Sequence, residues 1–166
     1  MSVVTIRPER VGDETAIHAL TEAAFRDMPF SEGDEQFLID QLRRDDDLAL
    51  SLVAEDGKRI VAHIAFSRVT ISDGARDWYD LGPVSVWPEL HGQGIGSALI
   101  LHGIGEMRAL GARGIVLLGD PAFYSRFGFE HDPELQYPGP PPEYFQRLVL
   151  SGDAPAGIVS YAPAFG

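Results

Sequence analysis

The sequence predicts an α/β fold in which a mixed sheet carries helices on its faces. Three observations support it. Apolar residues switch repeatedly between strand-like and helix-like spacing, a glycine-rich stretch joins an apolar strand to a helical pattern, and 166 residues can bury a substantial core. We therefore expect one domain over residues 1–166, with elements in the order β-α-α-β-β-β-α-β-α-β-β.

The first third of the chain predicts one strand and two helices. β-Branched residues over Val3–Pro8 indicate a strand that ends at the proline. Asp13 is the predicted N-cap of the first helix, whose apolar positions are Ala16, Ile17, Leu20, Ala23 and Ala24. The second helix has three apolar residues predicted for one face: Phe37, Leu38 and Leu42. Arg43 and Arg44 lie near its C-terminal end, where cations complement the helix dipole.

The middle of the chain predicts a hairpin, an irregular strand and a helix. Two apolar runs flank Asp56-Gly57, a pair that can adopt the positive φ angles of a tight turn. The next strand runs to Val86 and should be bulged at Gly82-Pro83, because proline cannot donate to a strand ladder. A helix is then predicted over Gly96–Leu110, with Gly111 as its stop. Its apolar face is predicted to carry Ile100, Ile104, Met107 and Leu110.

The last third predicts a buried strand in RGIVLLGD and a short helix opened by Pro121. Gly128 should end this helix, and Phe129 should begin another strand. An extended proline-rich loop follows in YPGPPPEYF. The final short strands are predicted at Arg147–Leu150 and Gly157–Tyr161.

Composition excludes several classes of function. The chain has 13 basic and 25 acidic side chains and a formal net charge of −12, which disfavours nucleic acid or an anionic membrane as partner and favours a cationic substrate. It has no cysteine for disulfides or thiolate chemistry, and its five histidines lack zinc spacing, so we expect no metal. Without a secretory signal or a membrane-length apolar run, we expect a cytoplasmic protein.

The segment HGQGIG lies between the strand ending at Val86 and the following helix. Glycines there either shape a tight turn or leave backbone amides bare for an anion such as a diphosphate. We favour the second interpretation. The spacing G-x-G-x-x-G of dinucleotide-binding loops fails, because Ser97 or Leu99 occupies the last position, and no P-loop lysine is present.

The run from His91 to Gly96 resembles motif A of the GNAT superfamily of acyl-CoA-dependent N-acetyltransferases, Gln/Arg-x-x-Gly-x-Gly/Ala. The downstream FYSRFGFE resembles motif B, with Tyr124 four residues before Gly128-Phe129. The resemblance extends over the whole chain in element order. It is most similar to a branch of small bacterial predicted N-acetyltransferases with LGPVSV-like and LGDPAFYSRFGF-like strings, whose acceptors are mostly unassigned.

The resemblance implies a mostly antiparallel sheet, splayed between its fourth and fifth strands and flanked by about four helices. It implies acetyl-CoA as co-substrate, with the pantetheine arm along Val84, Ser85 and Val86. The diphosphate would bind the loop residues Gly92, Gln93, Gly94, Ile95, Gly96 and Ser97. His91 departs from the family's Gln or Arg. Its neutral ring can donate one hydrogen bond, so we expect the loop to survive with weaker phosphate affinity.

The resemblance also assigns Tyr124 as the acid that protonates the departing thiolate. From the local string alone, a core tyrosine beside Phe123 and Phe127 is the preferred interpretation; motif A upstream reverses that preference. The backbone N–H of Val86 could polarise the thioester carbonyl. The general base stays open between a solvent-facing Asp80, Asp120 and a chain of waters.

The acceptor cannot be identified from the sequence. Trp78 and Tyr79 could line its pocket or belong to the core, and Phe25–Phe30 could form one wall. The resemblance implies direct transfer of acetyl to a primary amine of a small molecule or peptide in a ternary complex, and a homodimer is possible. The alternatives are a non-catalytic acyl-CoA binding or sensing module and, less consistent with the glycine spacing, a nucleotide-binding oxidoreductase.

Overall fold

The computed structural model of the protein describes residues 4–29 and 31–166. Six strands form its main sheet: β1 (Thr5–Pro8), β2 (Leu48–Asp56), β3 (Arg59–Arg68), β5 (Trp78–Val86), β6 (Gly114–Leu118) and β8 (Phe145–Val149). Their spatial order is β1-β2-β3-β5-β6-β8. Neighbouring strands are antiparallel except β5 and β6, which are parallel. The expectation of a mostly antiparallel mixed sheet is confirmed.

A second sheet of three short strands was not predicted from the sequence. It contains β4 (Thr70–Ile71), β9 (Gly157–Ser160) and β7 (Leu135–Gln136), in the order β4-β9-β7. The strand predicted to begin at Phe129 is wrong, because pairing there is limited to one isolated bridge between Glu130 and Arg147. Val3, at the start of the first predicted strand, lies outside the described residues.

Among the described residues, four α-helices flank the main sheet, in line with the expectation of about four: α1 (Glu14–Phe25), α2 (Glu35–Arg44), α3 (Ile95–Ala109) and α4 (Pro121–Tyr124). The two faces of the sheet follow from the alternation of side chains along β3. Ile64 and Phe66 pack with α3, and we call this side the α3 face. His63 and Ser67 point to the opposite side, the α1 face. Across the part of the chain that the structure describes, no helix is both long and apolar enough to span a membrane.

Two apolar residues predicted to face the core are instead exposed. The buried face of α2 consists of Gln36, Ile39 and Leu42, so Phe37 lies off that face and is 58% exposed. Phe37 contacts only the edge of the His18 ring, at 5.1 Å between centroids, among the aromatic pairs that the structure describes. Leu110 is the C-cap of α3, beyond its buried stripe, and is 65% exposed.

Three predicted backbone features are present. The β2–β3 hairpin turns at Gly57. Of the predicted pair Asp56-Gly57, Gly57 has a positive φ and Asp56 does not. Gly111, with φ of +91°, follows the last turn of α3. The pairing of β3 with β5 shifts register between Ile64 and Phe66, opposite Gly82-Pro83. The predicted bulge in β5 is therefore confirmed.

The sheet opens between β5 and β6. These strands pair at only three positions, of which the last joins Asp80 to Val116. From Leu81 to Val86, β5 continues along β3 while its other edge has no strand partner among residues 4–29 and 31–166. We call this gap the slot. It is the splay expected between the family's fourth and fifth strands, which are β5 and β6 here because β4 belongs to the second sheet.

Candidate active site at the slot

The open edge of β5 presents backbone groups to the slot in an alternating pattern. The amide of Trp87 donates to the carbonyl of Val61 at 3.0 Å, so Trp87 directs its backbone towards β3. Successive strand residues direct their backbone groups to opposite edges, and the register from Val84 to Val86 is regular. The backbone N–H and C=O groups of Val84 and Val86 therefore face the slot. The backbone groups of Ser85 face β3, and its side chain is buried on the α1 face near Thr21.

The glycine loop combines a special backbone shape with open space. Gly92 and Gly94 have φ of +81° and +82°, a region that favours glycine, so the glycines do shape a turn. A Cβ at either position would meet nothing within 4 Å, so a ligand has room to approach. The first bond of α3 runs from the amide of Ala98 to the carbonyl of Gly94 at 3.0 Å. The amides of Ile95–Ser97 precede it and are oriented to bind an anion.

His91 fastens the loop to the end of β5. Its Nε2 donates to the carbonyl of Val86 at 2.9 Å. A neutral imidazole has one N–H, and here that N–H is bound to Val86, which leaves Nδ1 as an acceptor. The ring therefore holds the loop in place, and in this conformation a neutral His91 has no N–H left for the phosphate contact that the sequence suggested.

Two of the cavities in the described part of the molecule do not coincide with the slot. The larger, about 430 Å³, is lined by the proline-rich segment from His131 to Phe145 and reaches neither Tyr124 nor Asp80. The smaller, about 160 Å³, lies against Gln93, Gly94 and Ile95 on the side of the loop that faces Asp56. Cavity size is therefore a poorer guide to the site here than the unpaired edge of β5.

Tyr124 ends α4 on the α3 face and is half-buried. Its ring lies edge-on to Phe123 at 4.9 Å between centroids and 6.3 Å from Phe127, so it has the aromatic neighbours expected of a core tyrosine. Burial raises the pKa of the Tyr124 phenol, and the charge of Asp80 raises it further. The phenol therefore keeps its proton at neutral pH, as an acid must.

Gly119 leaves the space that the Tyr124 ring occupies. A Cβ at Gly119 would lie 2.4 Å from Cε2 of Tyr124, closer than real contacts allow. The backbone cannot readily yield, because the amide of Gly119 donates to the carbonyl of Tyr144 and its carbonyl accepts from the buried Gln146 side chain, both at 3.0 Å. Gly119 could not be identified from the sequence, because its importance depends on a contact that forms only in the fold.

Asp80 lies where β5 and β6 diverge. The predicted solvent-facing position of Asp80 is wrong, because the residue is only 4% exposed. Asp80 lies on the α1 face of the sheet, opposite Ser67 on β3. Burial raises the pKa of the Asp80 carboxyl to about 8, while a hydrogen-bonding contribution from Tyr161 opposes that rise. Tyr124 and Asp80 are thus close enough to interact electrostatically, although they belong to opposite faces of the sheet.

Asp120, the other carboxylate considered as a base, is exposed and acts as a helix cap. Its Oδ1 accepts from the amide of Ala122 at 3.0 Å and so holds the start of α4. This arrangement gives Asp120 a structural task beside Tyr124. Of the two carboxylates, Asp80 is better placed to accept a proton inside the slot, since it lies where β5 and β6 diverge.

The remaining candidates belong to the core or lie outside the site. Trp78 is buried in the cluster that covers the second sheet, and Tyr79 packs against the main core. His63 is buried and bonds Ser51 at 2.8 Å; burial lowers the pKa of its ring to about 3. Phe30, in the predicted pocket wall, lies outside the described residues. Within the described ranges, no cluster of His, Asp or Glu is arranged to hold a metal.

Comparison with known proteins agrees with this geometry. The profile of the Acetyltransferase (GNAT) family matches residues 15–129. The uncharacterised N-acetyltransferase YhbS of Escherichia coli K12 is 36% identical over 159 residues, covering 92% of this chain and 91% of that protein.

Solved structures give the same assignment. A GNAT family acetyltransferase from Brucella melitensis, in complex with acetyl-CoA, is 44% identical with a TM-score of 0.89 and full coverage of both chains. YhbS from E. coli in complex with CoA gives a TM-score of 0.90 at 32% identity, covering 99% of this chain and 93% of that one. The chain therefore belongs to the GNAT family of acetyltransferases.

Proposed function

We propose that this protein transfers the acetyl group of acetyl-CoA directly to a primary amine within a ternary complex. The observation that carries the proposal is the unpaired edge of β5 from Leu81 to Val86, which leads into the glycine loop before α3. That edge and the amides of Ile95–Ser97 fit an extended thiol arm ending in a diphosphate. Similar proteins bind acetyl-CoA or CoA in their solved structures.

Acetyl-CoA, when bound, supplies a thioester carbonyl for attack by the amine. In the proposed mechanism the N–H of Val86, which faces the slot, stabilises negative charge on that carbonyl oxygen. Asp80 accepts the proton that the amine loses, and Tyr124 donates its phenolic proton to the departing thiolate. Tyr124 and Asp80 belong to opposite faces of the sheet, so one can serve the departing thiolate while the other serves the amine.

The proposed acceptor is a small-molecule or peptide amine. An aliphatic amine is cationic in water, and the net charge of −12 attracts it. The first test is calorimetry with acetyl-CoA, CoA and NAD, followed by release of free CoA across a panel of amines. Heat with acetyl-CoA and CoA but not NAD supports the proposed cofactor. Binding without turnover across a broad panel would favour an acyl-CoA sensing module.

We expect Gly94→Ala to weaken acetyl-CoA binding by about tenfold, because the left-handed conformation costs an alanine roughly 1–2 kcal/mol. The loop must then change shape or bind at that cost. Calorimetry measures the effect. Gly105→Ala is the matched control: Gly105 lies within α3, has an ordinary φ and has open space around its Cβ position. Equal affinities for both variants and the wild type would contradict the proposed role of the loop.

We expect Gly119→Ala to lower kcat while preserving acetyl-CoA affinity, because the new methyl group displaces the Tyr124 ring. A double-mutant cycle with Tyr124→Phe separates this effect from general destabilisation. Once the hydroxyl is absent, moving the ring should cost little further activity. Additive losses in kcat would show that Gly119 acts on something other than Tyr124.

A further inference from the structure

Tyr161 lies directly after β9, and the aromatic residues around it fix its ring. The ring stacks on Tyr137 at 4.5 Å between centroids with an interplanar angle of 15°. Phe165 contacts it edge-on at 5.1 Å. β9 itself is held between β4 and β7, with Ser160 paired to Thr70. A tyrosine held in this way directs its hydroxyl to one place.

That place is beside the buried carboxyl of Asp80. The Tyr161 hydroxyl is buried and has no hydrogen bond of ordinary geometry with any group that the structure describes. Tyr161 packs against the buried cluster that contains Val116, the cross-strand partner of Asp80, so its hydroxyl is close enough to contribute to the hydrogen bonding of Asp80. A buried hydroxyl without a partner destabilises the fold, so its position beside a carboxyl calls for an explanation.

We propose that Tyr161 is a positioning residue for Asp80: its hydroxyl donates to the carboxylate when Asp80 is ionised, which keeps Asp80 available as a base. This inference rests on the role of Asp80 in the proposed function. The catalytic proton moves from the amine to Asp80, whereas Tyr161 keeps its own. Burial, with the charge of Asp80, raises the pKa of Tyr161 well above its ordinary value, so the phenol stays a donor.

The groups around Asp80 make Tyr161 the principal candidate for a hydrogen-bond donor to its carboxylate. Among the described residues, the titratable groups that interact with Asp80 are Tyr161 after β9 and Tyr124 on α4. Tyr124 is assigned to the thiolate. Opposite Asp80 on β3 lies Ser67, whose buried hydroxyl is also without a partner among the residues described. Ser67 is therefore the one rival donor that the experiment has to separate from Tyr161.

The test measures the protonation of Asp80 directly, by ¹³C NMR titration of the carboxyl in protein labelled at aspartate, with Asp80→Asn for assignment. In Tyr161→Phe we expect the Asp80 midpoint to rise by about half a pH unit or more, because the carboxylate loses a donor. Tyr137→Phe, which removes the hydroxyl of the stacked neighbour, should leave the midpoint unchanged. In active enzyme, such a rise lowers kcat/KM at pH 7 by about threefold.

A second variant keeps the inference testable if Tyr161→Phe fails to fold. Replacing Tyr161 with 3-fluorotyrosine keeps the ring and makes the hydroxyl a stronger donor, so the Asp80 midpoint should fall. An unchanged midpoint in both Tyr161 variants overturns the inference, as does a rise in Ser67→Ala with none in Tyr161→Phe. Because NMR needs no turnover, failure of the inference and failure of the proposed transfer reaction are distinguishable.

Discussion

We expect Tyr124→Phe to lower kcat by about 10²–10⁴-fold, the usual contribution of a positioned acid, with acetyl-CoA affinity unchanged. The change removes the hydroxyl and keeps the ring against Phe123, so the packing of α4 is preserved. Without a proton donor, the thiolate must leave as an anion or take its proton from water. Initial rates at saturating amine and calorimetry with acetyl-CoA measure the two quantities.

Tyr144→Phe is the matched control for this variant. Its ring is 45% exposed, and loss of its hydroxyl should leave kcat unchanged. If Tyr124→Phe retains the wild-type kcat, Tyr124 has no part in the chemistry and is a packing residue. The core environment of the ring, which the local sequence already suggested, would then be its whole role.

The second large effect is expected at Asp80. Asp80→Asn should lower kcat/KM by about 10²–10⁴-fold at pH 8, because asparagine cannot accept the proton of the amine. The base acts when ionised, and burial raises its pKa to about 8, so wild-type activity should climb as pH rises through 8. Protonation of the amine also produces a rise with pH. The contribution of Asp80 is therefore the part of the profile that Asp80→Asn lacks.

Stability provides an independent control for Asp80→Asn. The folded pKa of Asp80 lies above its unfolded value of 3.8, so the stability gained from the neutral buried carboxyl is present below pH 3.8 and lost as pH rises through about 8. Asparagine removes this dependence. Urea unfolding should show the variant at least as stable as wild type at pH 9, so that lost activity cannot be attributed to unfolding.

Asp120→Asn separates the two carboxylates that the sequence left open. Asparagine caps helices about as well as aspartate, so α4 and Tyr124 should stay in place. We expect this variant to retain the activity and the pH profile of the wild type. A loss as large as that of Asp80→Asn would move the base to Asp120 and contradict the assignment.

The sequence predicts most of the framework because its signals are local. The bulge at Gly82-Pro83 and the end of α3 at Gly111 each depend on one or two residues with restricted backbone preferences. The glycine loop is equally local. The second sheet was missed because β4 and β7 have two residues each, too few to show periodicity.

The parts of the site that escaped prediction depend on distant contacts. Asp80 looked like a surface carboxylate because no nearby residue shows that the second sheet and its aromatic neighbours cover it. Tyr161 reaches Asp80 only through the pairing of β9 with β4. The backbone direction of Ser85 follows from its register with His63, which no local pattern reveals.

The slot has Asp80 on one face of the sheet and Tyr124 on the other, and this has a consequence for the choice of acceptor. The second sheet covers Asp80 on its own face, so in the proposed reaction the amine would reach this carboxyl through the gap between β5 and β6. The same gap would hold the thiol arm along the edge of β5. A slender, unbranched amine would therefore be accepted more readily than one with bulky groups next to the nitrogen.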